Sequence, residues 1–583
     1  MVLKLFSVSG TIKKRLLCIV LLVALVVVLF SLLLDNSQNK KKDRKLIENF
    51  KPLDTNSPAP FDPEIIPNFV GNKNNKDAEK STLHVESEKH NVEPERNIPP
   101  RFLKKPTTEK SKSSRVPVNV AETIEFKGPS NKEQQEIVNA FLHAWRAYEK
   151  YAWGKDELHP LSKSGGTWFN CGLTILDSLD TMWIMNLKDE FAKGRKWVAE
   201  SLRFNHPHVQ LFEIVIRALG GLLSAYHFSG DAIFAEKARD LGNKLMPCVK
   251  AGLIPCRFAD LSNPKSNRIG DHSTAEVGTI QLEFRDLARV FEDKSYEDPV
   301  NNIMRRLGSA DKFDGLASAN VNSQGEYQRS ATVGAGASID SYYEYLVKMW
   351  LQGGKTENDL KKDYITFVGG MKRHLLKYTK PGNLAFVGSL NGFHGSFRSE
   401  MEHLACFLPG TMALGVMKAN MPKDHLDIAA QLTETCYQMY VKQPTGLSPE
   451  VVYMNTDPGS SRDFGQSAGP AYNIQRPEAI ESIYYMYKAT KDKKYRDMGW
   501  KIFKAFEKYT KLSEGYDSID NVYDSTNPGH RNKMETFYLA ETLKYLYLLF
   551  DDNDELPLDK WVFNTEAHPL PVYKPDFWDS IGK

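Results

Sequence analysis

Several carboxylates in this chain stand where an ordinary helical core would not place them. In Leu211-Phe212-Glu213-Ile214-Val215-Ile216-Arg217-Ala218-Leu219, Glu213 and Arg217 lie four residues apart on one face of an otherwise apolar helix. Asp340 follows Gly334-Ala335-Gly336 and precedes Ser341-Tyr342-Tyr343-Glu344-Tyr345-Leu346, where a helix should begin. Arg476-Pro477-Glu478-Ala479-Ile480-Glu481 puts proline at a favoured first helical position and two acids one turn apart. Glu283 and Glu535 add carboxylates on aromatic-lined helices, the second in a run from Met534 to Phe550. Near the end, Phe563-Asn564-Thr565-Glu566-Ala567-His568-Pro569 crowds a hydroxyl, a carboxylate and an imidazole into four residues.

Each of these has a plain structural alternative: an ion pair, an N-cap, acids favoured by a helix dipole, a surface turn. Yet buried pairs are weak stability devices because desolvation offsets their attraction, so a set of them points to a cleft. No HExxH, CxxC or paired-cysteine zinc spacing is present. The set therefore predicts acid/base hydrolysis assisted by a hard, oxygen-liganded ion.

The elements that must position these acids repeat. An apolar helix, a tight polar turn and a second amphipathic helix recur around Ser229-Gly230-Asp231, Glu292-Asp293-Lys294 and Thr490-Lys491-Asp492. Apolar residues recur at helical rather than alternate spacing, and β-signals are weak and scattered. A repeat of about 65 residues divides 126–583 into about seven hairpins. Such hairpins stack into an open solenoid or close into a toroid. The chain lacks polar capping repeats and its last segment looks buried, so an all-α ring enclosing one central cavity is expected.

The first 125 residues differ. Leu16 to Leu34 is an uncharged apolar run of 19 residues, long enough to cross a bilayer, and no small-residue cleavage site follows it. It is expected to be a retained signal anchor, with residues 1–15 cytosolic and the bulk of the chain lumenal. Residues 35–125, rich in Lys, Asn, Glu and Pro, should form a flexible lumenal stem, leaving 126–583 as the globular domain. Residues 1–125 carry 21 of the 76 Lys+Arg and 15 of the 73 Asp+Glu, so the globular part has three more acids than bases. That argues against a nucleic-acid surface. Besides Cys18 there are Cys171, Cys248, Cys256, Cys406 and Cys436. A lumenal setting permits one or two disulfides and leaves an odd thiol, with pairs that spacing does not assign.

Taken together, Asp177-Ser178-Leu179-Asp180-Thr181-Met182-Trp183, Phe212-Glu213 with Arg217-Ala218-Leu219-Gly220-Gly221, Asp340-Ser341-Tyr342-Tyr343-Glu344-Tyr345, Cys406-Phe407-Leu408-Pro409-Gly410, Arg476-Pro477-Glu478 and Thr565-Glu566-Ala567-His568-Pro569 resemble glycoside hydrolase family 47, the class I α-1,2-mannosidases. Gly353-Gly354-Lys355, Ser448-Pro449-Glu450 and Val562 to Pro571 resemble its endoplasmic reticulum members. The resemblance implies an (α/α)7 barrel, a type II membrane protein, an inverting mechanism and a calcium ion (Ca2+) at the barrel floor. It implies Glu478 as general base, Glu213 as candidate general acid acting through a water, and Asp340 as a third essential carboxylate. Thr565 is implied as the calcium ligand. Glu283, Glu481, Glu535 and Glu566 would hold its waters or the sugar, with Arg217, His403 and Arg476 as further active-site residues, and Cys406 would pair with Cys436.

The implied activity is trimming of terminal α-1,2-linked mannose from high-mannose N-glycans of glycoproteins, by a monomeric enzyme of the endoplasmic reticulum membrane or, alternatively, the Golgi. The competing expectation is a glycan-binding factor that marks misfolded glycoproteins for disposal. One departure is Ser338, where endoplasmic reticulum members carry an arginine and Golgi members an apolar residue. A short hydroxyl lacks that arginine's two-pronged contacts, which bears on which mannose is removed.

Overall fold

The computed structural model describes residues 123–265 and 270–581. The tail 1–15, the membrane run 16–34 and the expected stem up to residue 122 lie outside the described residues.

The barrel helices are α1 (Lys132–Tyr151), α2 (Leu173–Ile184), α3 (Lys188–Glu200), α4 (Leu211–Ser229), α5 (Ala232–Val249), α6 (Gln281–Val290), α7 (Lys294–Ser309), α8 (Asp340–Gln352), α9 (Asn358–His374), α10 (Leu408–Ala419), α11 (Asp424–Val441), α12 (Glu478–Thr490), α13 (Lys494–Tyr509) and α14 (Leu543–Leu549). From α2 to α12, each even-numbered helix packs against the odd-numbered one that follows, and α14 packs against α1, which completes the seventh hairpin. The even-numbered helices also pack on one another in sequence order, and the π-helical turn Tyr538–Thr542 ahead of α14 returns to α2. The ring is closed.

Sequence decides which helix goes inside. Helices α2, α6 and α14 are buried at every residue, α2 and α14 because they are largely apolar on all sides and α6 because its charged residues find partners inside, whereas α3 buries only Phe191, Gly194 and Val198. The three predicted turns are hairpin turns. Asp231 and Asp293 cap the helices that leave two of them by accepting from Ile233 N and Ser295 N, and Gly230 takes the left-handed backbone (φ 68°) that ends α4. Helix α4 is long and apolar enough to cross a membrane, but 78% of that stretch is buried inside the barrel wall.

The scattered β-signals become short strands. Among the described residues they form small sheets of two or three strands. The strand pair that matters most is Trp561–Phe563 with Pro569–Pro571, antiparallel, which packs against α4, α6 and α8 and carries its turn Asn564–His568 into the ring. The buried last segment expected from sequence is this plug. At the other end of the described chain, Phe126 packs edge-on to Phe228 and Ile124 N donates to Phe228 O, so the chain is already docked on the barrel there.

Cys406–Cys436 is a disulfide, as the resemblance implied, and joins the turn before α10 to α11. Cys248–Cys256 is a second one, closing the loop after α5, and Cys171 is the buried odd thiol.

Candidate active site

The expected site residues fall into two groups by exposure. Glu213, Asp340, Arg476, Glu478, Glu535 and Thr565 are half-buried and open to solvent, whereas Arg217, Glu283, His403, Glu481 and Glu566 are buried.

Glu478 begins α12. Its Oε2 lies 2.9 Å from His403 Nδ1, and His403 Nε2 lies 2.7 Å from the Tyr440 hydroxyl. With its proton on Nδ1 the imidazole donates to the carboxylate, and its other nitrogen faces the Tyr440 hydroxyl. Burial alone would raise the Glu478 carboxyl, but the His403 hydrogen bond and the nearby charges of His403 and Arg476 outweigh it and hold the group below its usual range. Arg476 is itself held by Glu450, 2.7 Å from its Nε.

Asp340 is the opposite case. It is the first residue of α8 rather than the cap before it, and its carboxylate accepts only from the Ser341 amide, at 2.8 Å. Burial, then the charges of Glu402, Glu478 and Glu344, push its carboxyl up to about 8. One fold thus lowers one of these carboxyls and raises the other.

Glu213 and Arg217 do pair, at 2.8 Å, but the helix between them is not regular. Val215–Leu219 is a π-helical turn, and a second, Tyr538–Thr542, lies across α2 from it. Such turns are frequent at functional sites. Arg217 also reaches Glu566, the Thr536 hydroxyl at 3.1 Å and Asp177 at 3.6 Å. Phe537, in the second helix, lies 5.8 Å from the Arg217 guanidinium and 6.0 Å from that of Arg476. Glu535 stands just before this helix, whose first helical residue is Thr536, and pairs with Lys533 at 3.4 Å.

Thr565 lies at the plug tip and donates through Oγ1 to Glu344 at 2.7 Å. Lys348, fully buried, pairs with Glu344 and lies 3.4 Å from Glu481. Glu283 sits beneath the tip, accepting from Tyr345 at 2.7 Å and Asn564 at 2.7 Å. Burial raises the carboxyls of Glu481, Glu541 and Glu566; Lys348 and Arg217 oppose this only in part, and neighbouring acids add to it. More carboxyls than cations surround Thr565, and without a cation the raised ones keep their protons; a cation there would let them ionise. A hard cation with oxygen ligands fits that imbalance. Among the described residues no three acidic, histidine or cysteine side chains converge closely enough to hold a metal by themselves, so the fit is to Thr565 oxygens with the acids one shell out.

Sequence reasoning did not assign Glu344, Lys348, Glu541 or Asn564. The i,i+4 spacing of Glu344 and Lys348 was visible, but Glu541 lies within an aromatic run and Asn564 reads as a turn residue.

Residues 140–572 match the sequence profile of glycosyl hydrolase family 47. The chain is 47% identical over 489 residues to the endoplasmic reticulum mannosyl-oligosaccharide 1,2-alpha-mannosidase of Rattus norvegicus, covering 82% of this chain and 74% of that one. It is 45% identical over 496 residues to the protein of the same name from Homo sapiens, covering 83% and 70%. The fold matches the alpha-1,2-mannosidase from Trichoderma reesei with a TM-score of 0.71 at 26% identity, over 76% of this chain and all of that one.

Proposed function

The chain belongs to glycosyl hydrolase family 47, and from that membership we infer that it is a glycosidase that hydrolyses terminal α-1,2-linked mannose from high-mannose N-glycans. The observation that carries the mechanism is the contrast between two carboxyls that both open on the site: Glu478, bonded to His403 and held low, and Asp340, which accepts from Ser341 N and is raised. Groups whose environments push them apart in this way serve as base and acid.

Glu478 takes a proton from the attacking water, with His403 and Tyr440 fixing its orientation. Asp340, protonated up to about 8, supplies a proton toward the leaving oxygen, and Glu213, tied to Arg217, orients the water between them. Attack from the face opposite the leaving group inverts the anomeric centre. Arg476 and Phe537 line the sugar's approach. Calcium is proposed at the Thr565 hydroxyl and carbonyl, with Glu344, Glu481 and Glu566 holding its waters; there it supplies a hard acceptor for vicinal sugar hydroxyls.

The enzyme is proposed to be a monomer anchored through residues 16–34 in the endoplasmic reticulum membrane, with 126–583 as its lumenal catalytic domain, and to act in glycoprotein quality control. Ser338 takes a left-handed backbone (φ 73°), and its carbonyl accepts from Ala275 N at 2.9 Å. Its short side chain leaves the order of mannose removal to be set by other residues.

The test is release of mannose from a labelled high-mannose oligosaccharide by the full chain, with calcium or chelator, beside Glu478→Gln. Release that needs both calcium and Glu478 is expected. Folded protein that binds the glycan without releasing mannose would overturn the enzyme and leave a glycan-binding factor.

A further inference from the structure

Asn564 is fully buried, and every hydrogen-bonding position of its side-chain amide is used. Nδ2 donates to Ile216 O at 2.8 Å and to Glu283 Oε1 at 2.7 Å, while Oδ1 accepts from Glu566 N at 3.0 Å and His568 N at 2.8 Å. Two acceptors on one side and two backbone donors on the other leave a single orientation of the amide. The first partner belongs to the π-helical turn that carries Arg217, the second to α6, and the last two to the plug tip that carries Thr565.

The helix is shaped to receive it. A Cβ on Gly220, directly after the π-helical turn, would stand 2.7 Å from Asn564 Nδ2 and 3.0 Å from His568 Cδ2. The approach of tip to helix therefore requires glycine at that position.

We infer that Asn564 is a positioning residue that sets where Thr565 stands relative to Arg217 and Glu213, joining the metal side of the site to its acid side through one amide. It touches neither the reacting sugar nor the ion. A substitution that keeps the two acceptor bonds but removes the donors leaves the turn folded and frees the tip from the helix. The consequence is a weaker and misplaced calcium site. The inference rests on the calcium-dependent mannosidase reading.

The experiment is Asn564→Asp in the full chain, an isosteric change that turns the donor side into oxygen facing Ile216 O and Glu283. Calcium affinity is read without turnover, from the rise in melting temperature as calcium is added, and mannose release is measured beside it. Expected are a folded protein and calcium affinity weakened about 10- to 100-fold, the usual loss for outer-shell partners, with kcat lowered even at saturating calcium. Gly220→Ala, which pushes the amide from the helix side and favours helix by propensity, should weaken calcium binding in the same direction, and it decides the matter if Asn564→Asp does not fold. A lower melting temperature with unchanged calcium affinity and kcat would make Asn564 merely structural and overturn the inference. Wild-type protein that neither binds calcium nor releases mannose would overturn the underlying reading instead.

Discussion

Two regions of this barrel bury arginines and glutamates together, and they are balanced differently. Between α6 and α7, Arg289 contacts Glu297 at 3.0 Å and 3.2 Å, Arg285 pairs with Glu357, and Trp578 donates to Glu297 at 3.0 Å, while Tyr573 lies 4.8 Å from the Arg289 guanidinium. Two cations meet two anions, and the aromatic C-terminal segment is clasped over α6 and α7. Inside the ring, Glu344, Glu481, Glu541 and Glu566 crowd around Lys348 and Arg217, and three of these acids have raised carboxyls. Balanced charge fastens a segment in place. An excess of acids that keep their protons until a cation arrives fits a site completed from outside the chain, here by a cation and a polyhydroxylated ligand.

The comparison can be broken in steps. The largest effect is expected from chelation: calcium removal should abolish mannose release, calcium should restore it, and an endpoint assay reads both. Activity that survives thorough chelation would mean the inner imbalance is not met by a metal. Next, Glu478→Gln should lower kcat by roughly 10²–10⁴-fold, the usual range for a lost general base, in protein whose melting temperature shows it to be folded.

Breaking the balanced region should move stability instead. Arg289→Met leaves Glu297 buried and half-paired, and removal of one partner of such a pair costs about 3–5 kcal/mol. Denaturant titration should show that loss, with turnover per folded molecule unchanged; a variant equally stable but slow would erase the distinction between the regions.

The smallest effect is on the pH profile. Asp340 must hold its proton, so kcat/KM should fall as pH rises through about 8. Glu478 must be free of one, so activity should fall only as pH drops below the usual carboxylate range. Asp340→Asn should remove the basic limb along with most of the rate, and a limb that persists in its residual activity would reassign the proton to Glu213.

Much of this is legible in the sequence. The three hairpin turns carry their own caps and polar residues, so local chemistry revealed them, and Glu213 with Arg217 could be read from a four-residue spacing. What stayed hidden was set by closure of the ring. Asn564 meets Ile216 across 348 residues, and no local pattern marks that contact. The π-helical turns of α4 and of the helix ending in α14 fall in stretches whose apolar composition reads as plain helix. Cys248 and Cys256 could have paired elsewhere on spacing alone. The burial of Glu283 and Glu566, expected among residues that hold water or sugar, follows from insertion of the plug, which lies over Glu283 and carries Glu566 into the ring onto Arg217.

The central claim is that Glu478 drives water onto the face opposite the leaving oxygen while a protonated acid assists departure. Proton NMR of the first-formed sugar, recorded before mutarotation, tests it most directly. β-Mannose released from the α-1,2 linkage is the predicted product; α-mannose would contradict the account, because it would require a covalent intermediate and a nucleophile in place of the base.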